Sequence, residues 1–495
     1  TNPCLFLGDN TMSENNRVKL CLFDDFWLKY KSSTMRRWFA PQYFAHFCDP
    51  AFGGICACSL IPDEKSGQYR LYYNGFDPLN ESDCFTALSE SSDLQSFEPV
   101  KIKEGSSRYP AHVIDIEDRG VDVCEDGMRT FPIYDRYESD PSRRYKLTCH
   151  HLRNQQGEKS HDLQVAFSAD GLHWELQRDM VALRTNSDAV NKLYYNPHTK
   201  EYGLIHRASH VDRRIALKTT EDFKTWSGPK IVLHPGPRFN NDDSITELYG
   251  MTAAWHDGVF LGITVPYHMK FYEALRTPVN GYMESELVYS YDGEHFMDTT
   301  SRPLVERPTP PLQGCAQTAL VDICESFDGT EYILTARAFN VHHSMAVPEM
   351  IALQNGRAFG AAFYKIRKDG FCGIEGMGGG APGLVLTRRL RLLKDDLTLN
   401  VNASCGIARF AVMKYVEQPS EHDQPRLTPD SNIVFRDGFS FDDCVPFAGR
   451  DSVDIAPRWR EHTLQELVGE RVYIAVELKC AILHAMTFTA RQEFF

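Results

Sequence analysis

The chain has 495 residues, and its 53 Lys and Arg against 67 Asp and Glu leave a formal net charge of −14. With 42 % hydrophobic and 24 % charged residues, it has the composition of a folded globular protein, not a disordered or fibrous one. Net acidity and the lack of a long basic stripe argue against a nucleic-acid partner, and no apolar run approaches the roughly 20 residues of a spanning helix.

The segment Thr1-Asn-Pro-Cys4 has no charged stretch leading into an apolar one, so the expected location is cytoplasmic, with a trimmed signal peptide left open. The 14 cysteines are scattered, and Cys56-x-Cys58 has no second pair at zinc spacing. Reduced, buried thiols are the expectation. The adjacent pairs His150–His151 and His342–His343 belong to no metal motif.

In chain order, a hairpin-like phrase recurs: an extended run, a polar turn, then an aromatic-centred strand. It appears at Pro62–Tyr73, Ser139–Leu147, Asn196–Leu204, His256–Gly262 and Phe327–Leu334, anchored on Tyr69, Tyr145, Tyr202, Phe260 and Tyr332. A second phrase follows each copy: Ser89–Phe97, Ser168–Trp174, Thr220–Trp226, Ser290–Phe296 and, in degenerate form, Lys365–Phe371. Asp-Gly favours a tight turn, and the aromatic beyond it covers the hairpin end. Two hairpin signals per unit predict four strands. One such sheet cannot bury both its faces, whereas five around an axis can. The expectation for residues 1–378 is an all-β five-bladed β-propeller that carries the active site.

Phe371–Gly383 is glycine-dense and aperiodic and reads as a linker. The strand-like segments Gly383–Arg388, Asp396–Val401, Ile407–Tyr415, Val472–Val476 and His484–Thr489 follow, with one short candidate helix at Glu461–Val468. They predict a C-terminal β-sandwich over residues 379–495.

In a propeller, the residues where innermost strands begin converge on the axis. Upstream of the anchor hairpins these are Asp49, Glu125 or Asp126, Asp188, then Asp242, Asp243 and Glu247, with Gln313 and Gln317 in the fifth unit. Carboxylates sharing a funnel split their pKa values, which suits a proton donor and a nucleophile or base at a glycosidic bond. Any one of these acids also fits an ordinary turn. Polar groups at or past the anchor strands are Asn74, His150, His151, His206, Arg207, Asp212, Arg213, Arg214, His268 and Arg337. Tyr72, Tyr73, Tyr249, Tyr267 and Trp255 offer flat apolar faces for a sugar ring, or core packing.

Several phrases carry a family resemblance. Leu22–Leu28, Leu71-Tyr-Tyr-Asn-Gly75, Arg144-Tyr-Lys146, Ser168–Trp174, Ser187–Asn191, Asp212-Arg-Arg214, Glu286–Gly293 and Arg367–Phe371 resemble a large group of bacterial proteins related to glycoside hydrolase family 32. More broadly, the chain is similar to the five-bladed furanosidase propellers of families 32, 43, 62 and 68. Leu397–Ser404, Phe439–Cys444, Gly449–Ser452 and Trp459 extend the resemblance into the tail. The resemblance implies a glycosidase cleaving a terminal fructosyl- or arabinosyl-like residue, or a related transferase. By position it assigns nucleophile, hydroxyl-binding stabiliser and acid to Asp49, Asp188 and Glu247. The family-32 Trp-x-Asn-Asp-Pro-Asn-Gly, Arg-Asp-Pro and Glu-Cys signatures are not found here, and Asp49-Pro50 echoes the first only faintly.

The substrate-binding set is Asn74, His151, Arg207, Arg213, Tyr249, His268, Gln313 and Arg337. Two other readings stand beside hydrolysis. Arg207, Arg213 and Arg214, with His210, suit a phosphorylase; a non-catalytic carbohydrate-binding propeller needs only the sugar contacts. No dinucleotide or Walker motif is present, so no cofactor is expected, nor a metal motif. The expected partner is a small carbohydrate or glycoside, with no nucleic acid or membrane and with homo-oligomerisation left open.

Overall fold

The computed structural model describes residues 16–493 apart from 78–79, 107–109, 119–120, 123–129, 156–157, 185–188, 209–212, 236–244, 273–276, 301, 344–347, 378–379 and 418–427. Among the described residues the protein is nearly all β, and its α-helix is the six-residue Pro348–Leu353. No helix among them is long and apolar enough to cross a membrane. The candidate helix Glu461–Val468 is a single 3-10 turn, Leu464–Leu467, with a capping box between Thr463 and Glu466.

The chain forms two compact units: Ala40–His256 with Phe260–Lys368, and Thr1–Phe39 with Asp257–Val259 and Asp369–Phe495. The larger unit holds five antiparallel runs of four strands. The first is Gly54–Asp63, Gln68–Asp77, Asn80–Ser91 and Glu98–Pro99. The second is Ile133–Tyr134, Tyr145–Gln155, Glu158–Ser168 and His173–Leu183. The third is Lys192–Asn196, Glu201–Ala208, Arg214–Thr220 and Lys230–Leu233. The fourth is Ile245–Trp255, Phe260–Tyr272, Glu286–Ser290 and Met297–Asp298. The fifth is Gln317–Glu325, Glu331–Phe339, Phe359–Arg367 and, from far upstream, Gln42–Phe47.

The first strands of the five runs touch one another in a closed cycle, one to two, two to three, three to four, four to five and five to one. Each gap between consecutive runs holds its own apolar cluster. Between runs one and two these are residues such as Cys58, Tyr72, Phe131, Leu147 and Trp174. Leu163, Val165, Leu193 and Leu204 join two and three. Ile205, Leu217, Leu248 and Val288 join three and four. Val265, Tyr267 and Ala319 join four and five. Val321, Ile333 and Phe363 face Ala57, Leu71 and Tyr73, joining five to one. Each side chain so buried contributes roughly 1.5–3 kcal/mol, so both sheet faces are hydrophobic and the strands read as near-continuous apolar runs.

The second repeated phrase is a turn built the same way four times. Ser91, Ser168, Thr220 and Ser290 accept a backbone N–H three residues on, and Asp93, Asp170, Asp222 and Asp292 accept from the two N–H groups that follow it. The residue after each Asp has positive φ: Leu94, Gly171, Phe223 and Gly293. Four residues past each Asp stands Phe97, Trp174, Trp226 or Phe296, and both tryptophans donate their indole N–H back into the turn.

In the smaller unit, Arg17–Leu20, Leu28–Ser32 and Thr34–Trp38 pair with Ile482–Gln492, Gly383–Thr387 and Cys372–Gly376. Residues 16–39 therefore group with the tail, where the sequence reading placed them with the repeats. The core there includes Leu20, Val385, Val401, Phe410, Val476 and Phe488. The expected linker Phe371–Gly383 contains the strand Cys372–Gly376, and Gly373, Gly376 and Gly383 mark close packing: a side chain on Gly376 would run into the Leu478 carbonyl.

Candidate active site

Asp49 precedes the first strand of run one, Glu247 is the third residue of that of run four, and Gln317 opens that of run five. Asp188, Glu125, Asp126, His210, Asp212, Asp242 and Asp243 lie outside the described residues. His151 lies on a described strand, but its side chain is outside them.

Four of the expected residues come together. Glu247 and Arg213 form an ion pair, with Glu247 the less exposed at 14 %. Arg213 also lies over the Tyr267 ring at 5.5 Å and points Nη1 at the Met269 sulfur at 3.4 Å. Arg207 lies over the Tyr249 ring at 5.6 Å, and the two tyrosines meet edge to face at 5.7 Å. Both hydroxyls reach His343, Tyr267 to Nδ1 at 3.0 Å and Tyr249 to Nε2 at 3.4 Å. Burial pushes the Tyr267 hydroxyl up to about 12 even with Arg213 beside it, so it stays a proton-bearing donor. Strands from runs three and four, with the segment after run five's second strand, build this group: a carboxylate, two guanidiniums and two aromatic faces.

His268 belongs to a neighbouring group. Its Nδ1 is 3.0 Å from the Thr246 hydroxyl, its ring stacks on Tyr282 at 4.7 Å, and its Nε2 is 3.5 Å from Glu284. Arg307 lies over Tyr282 at 4.0 Å and 3.5 Å from Glu284. Burial raises the Glu284 carboxyl, yet His268 and Arg307 outweigh it and hold the group below its usual range. Glu284 is thus a carboxylate just past Thr277–Met283, a strand that pairs with the other side of Phe260–Tyr272 from Glu247's. Sequence reading missed it because it precedes no anchor hairpin.

Asp49 is closed on all sides. It accepts from the Ala51 N–H at 2.8 Å and the Tyr73 hydroxyl at 2.5 Å, and meets His112 Nε2 at 2.7 Å. Its side chain is 2 % exposed. Burial raises its pKa, but the His112, Tyr73 and backbone bonds prevail and lower it. Gln313 is likewise occupied: its amide donates to the Ala338 and Arg357 carbonyls, and its oxygen accepts from Asn340. Asn74 is buried, bonded to Thr86 and accepting from the Cys58 thiol. Arg337 is buried, with Nε donating to the Ala57 carbonyl at 3.2 Å.

Among the described residues, no group of three His, Cys, Asp or Glu side chains is arranged to hold a metal ion.

No family model matches the chain, and no curated protein matches it. Solved structures similar to it include a Bombyx mori GH32 beta-fructofuranosidase, 11 % identical, covering 91 % of this chain and 94 % of that one at TM-score 0.40. Another is a thermostable family-43 glycoside hydrolase, 11 % identical, covering 66 % and 95 % at TM-score 0.43. A mannose phosphorylase from Leishmania mexicana is 12 % identical, covering 66 % and 88 % at TM-score 0.37.

Proposed function

We propose that this chain is a glycoside hydrolase that removes a terminal furanosyl residue, built as a five-bladed β-propeller with a β-sandwich formed largely by its tail. The closed cycle of first strands and the five inter-run clusters support the propeller. The observation that carries the function is the Glu247–Arg213 pair set among Tyr249, Tyr267 and Arg207, at the strand ends where a propeller gathers its polar groups. Such a group supplies a carboxylate, hydrogen-bond forks for hydroxyls and an aromatic floor for a sugar. In this reading Glu247 and Asp188 are the working carboxylates. Arg213 positions Glu247 and releases it when substrate hydroxyls take its fork. Asp49, with three donors on its carboxylate, has the bonding of a bracing residue, and the nucleophile's role passes to Asp188 or Glu284.

A screen of aryl and natural furanosides tests the proposal. Glu247→Gln and Asp188→Asn should each lower kcat by roughly 10²-fold or more with the fold intact. Full rate in either folded variant refutes that residue's role. The two guanidiniums over adjacent tyrosines favour a second reading, phosphorolysis; release of a sugar phosphate only when inorganic phosphate is present would establish it in place of hydrolysis.

A further inference from the structure

Four cations are buried among the described residues: Lys19, Lys146, Lys192 and Arg337. Three have a carboxylate. Lys19 meets Asp369 at 3.1 Å, Lys146 meets Asp135 at 3.1 Å, and Lys192 meets Asp322 at 2.8 Å. These three buried charges are neutralised, as the cost of stripping an ion of water requires.

Arg337 is the exception. Its Nε donates to the Ala57 carbonyl at 3.2 Å and its fork lies 5.1 Å from the centre of the Phe131 ring. Among the described residues Nη2 is buried with no acceptor. A carbonyl and a ring face offset part of the desolvation of a guanidinium and none of its charge. The three groups come from different runs: Arg337 from the second strand of run five, Ala57 from the first strand of run one, and Phe131 from just before run two. Asn74 lies beside them, paired in register with Cys56 and bonded to the Cys58 thiol. Arg337 as a whole keeps 9 % of its surface exposed.

We propose that the missing counter-charge arrives with the ligand: the sugar this chain takes is acidic, and its carboxylate or phosphate oxygens pair with the free edge of Arg337. A neutral furanoside fills the same place with hydroxyls and leaves the guanidinium uncompensated. The inference rests on the sugar-binding reading above and narrows its substrate class.

Calorimetric titration of the full chain tests it, with galacturonate and glucuronate as one arm, fructose 6-phosphate and glucose 6-phosphate as a second, and fructose, arabinose and galactose as the neutral reference. One acidic arm should bind at least about tenfold tighter than its neutral counterpart, and the arm that does so identifies the anionic group. Arg337→Gln should erase that margin and Arg337→Lys should restore part of it. Equal binding of acidic and neutral sugars by the wild type overturns the inference, and this result needs no variant to fold. A margin that survives Arg337→Gln also overturns it. Hydrolysis of neutral furanosides without an acidic margin would remove this inference alone; an acidic margin without turnover of any glycoside would remove the hydrolase reading alone.

Discussion

At the scale of single residues, the carboxylates divide into one with a displaceable ionic partner and one held by several hydrogen bonds. Among the described residues Glu247 has one ionic partner, Arg213, whereas Asp49 has three bonds and almost no exposure. Asp49→Ala would leave the Tyr73 hydroxyl and His112 without their acceptor, at a cost of about 1–3 kcal/mol. Thermal or denaturant unfolding should register that loss. Because the folded pKa of Asp49 is depressed, its contribution is complete above the ordinary carboxylate value and fades as pH falls through the lower folded value. Wild-type stability should therefore drop more steeply in acid than that of Asp49→Asn; parallel curves would contradict the bracing role. The sequence made Glu247, Arg213, Arg207 and Tyr249 legible because they flank strand starts. Tyr267 as a hydroxyl donor to His343 needed a contact across 76 residues of chain, about what a closed repeat brings together, and Glu284 needed the register that sets it against His268.

At the scale of elements, the repeated Ser/Thr-x-Asp turn is the device that ends one hairpin and aims the next aromatic. Its four aspartates all titrate low; Asp170 reaches about 2, because backbone N–H groups and His173 outweigh the burial that opposes them. Asp170→Ala should destabilise the chain by about 1 kcal/mol, the net value of such bonds at a half-exposed site, as measured by urea unfolding. The spacing of these turns was readable from sequence because their chemistry is local: a hydroxyl, a carboxylate and a left-handed residue within four positions. The glycines near residue 376 misled for the opposite reason. Close approach to Leu478 is a long-range fact, and from sequence it looks like flexibility. Gly376→Ala should accordingly cost about 1–3 kcal/mol, an overpacking penalty, where a true linker would show no change in melting temperature.

At the scale of the whole molecule, closure is what turns five marginal sheets into a unit. Gln42–Phe47 supplies the outermost strand of run five, and Lys192 of run three pairs with Asp322 of run five while Asp322 also accepts from the Leu60 N–H of run one. Lys192→Met should cost about 3 kcal/mol, because it strands a largely enclosed carboxylate, and Lys192→Met with Asp322→Leu should recover much of that loss. A double variant as unstable as the single one would show that the pair does not tie the runs. The same closure underlies the central claim that acids from different runs serve one site. A crystal structure with a furanoside or sugar acid bound tests this most directly, through the separation of the Glu247 and Asp188 carboxylates across the ligand. The expected separation is roughly 5–9.5 Å, the span that fits a retaining or inverting pair. Carboxylates well beyond that span, or facing away from the bound sugar, would contradict it.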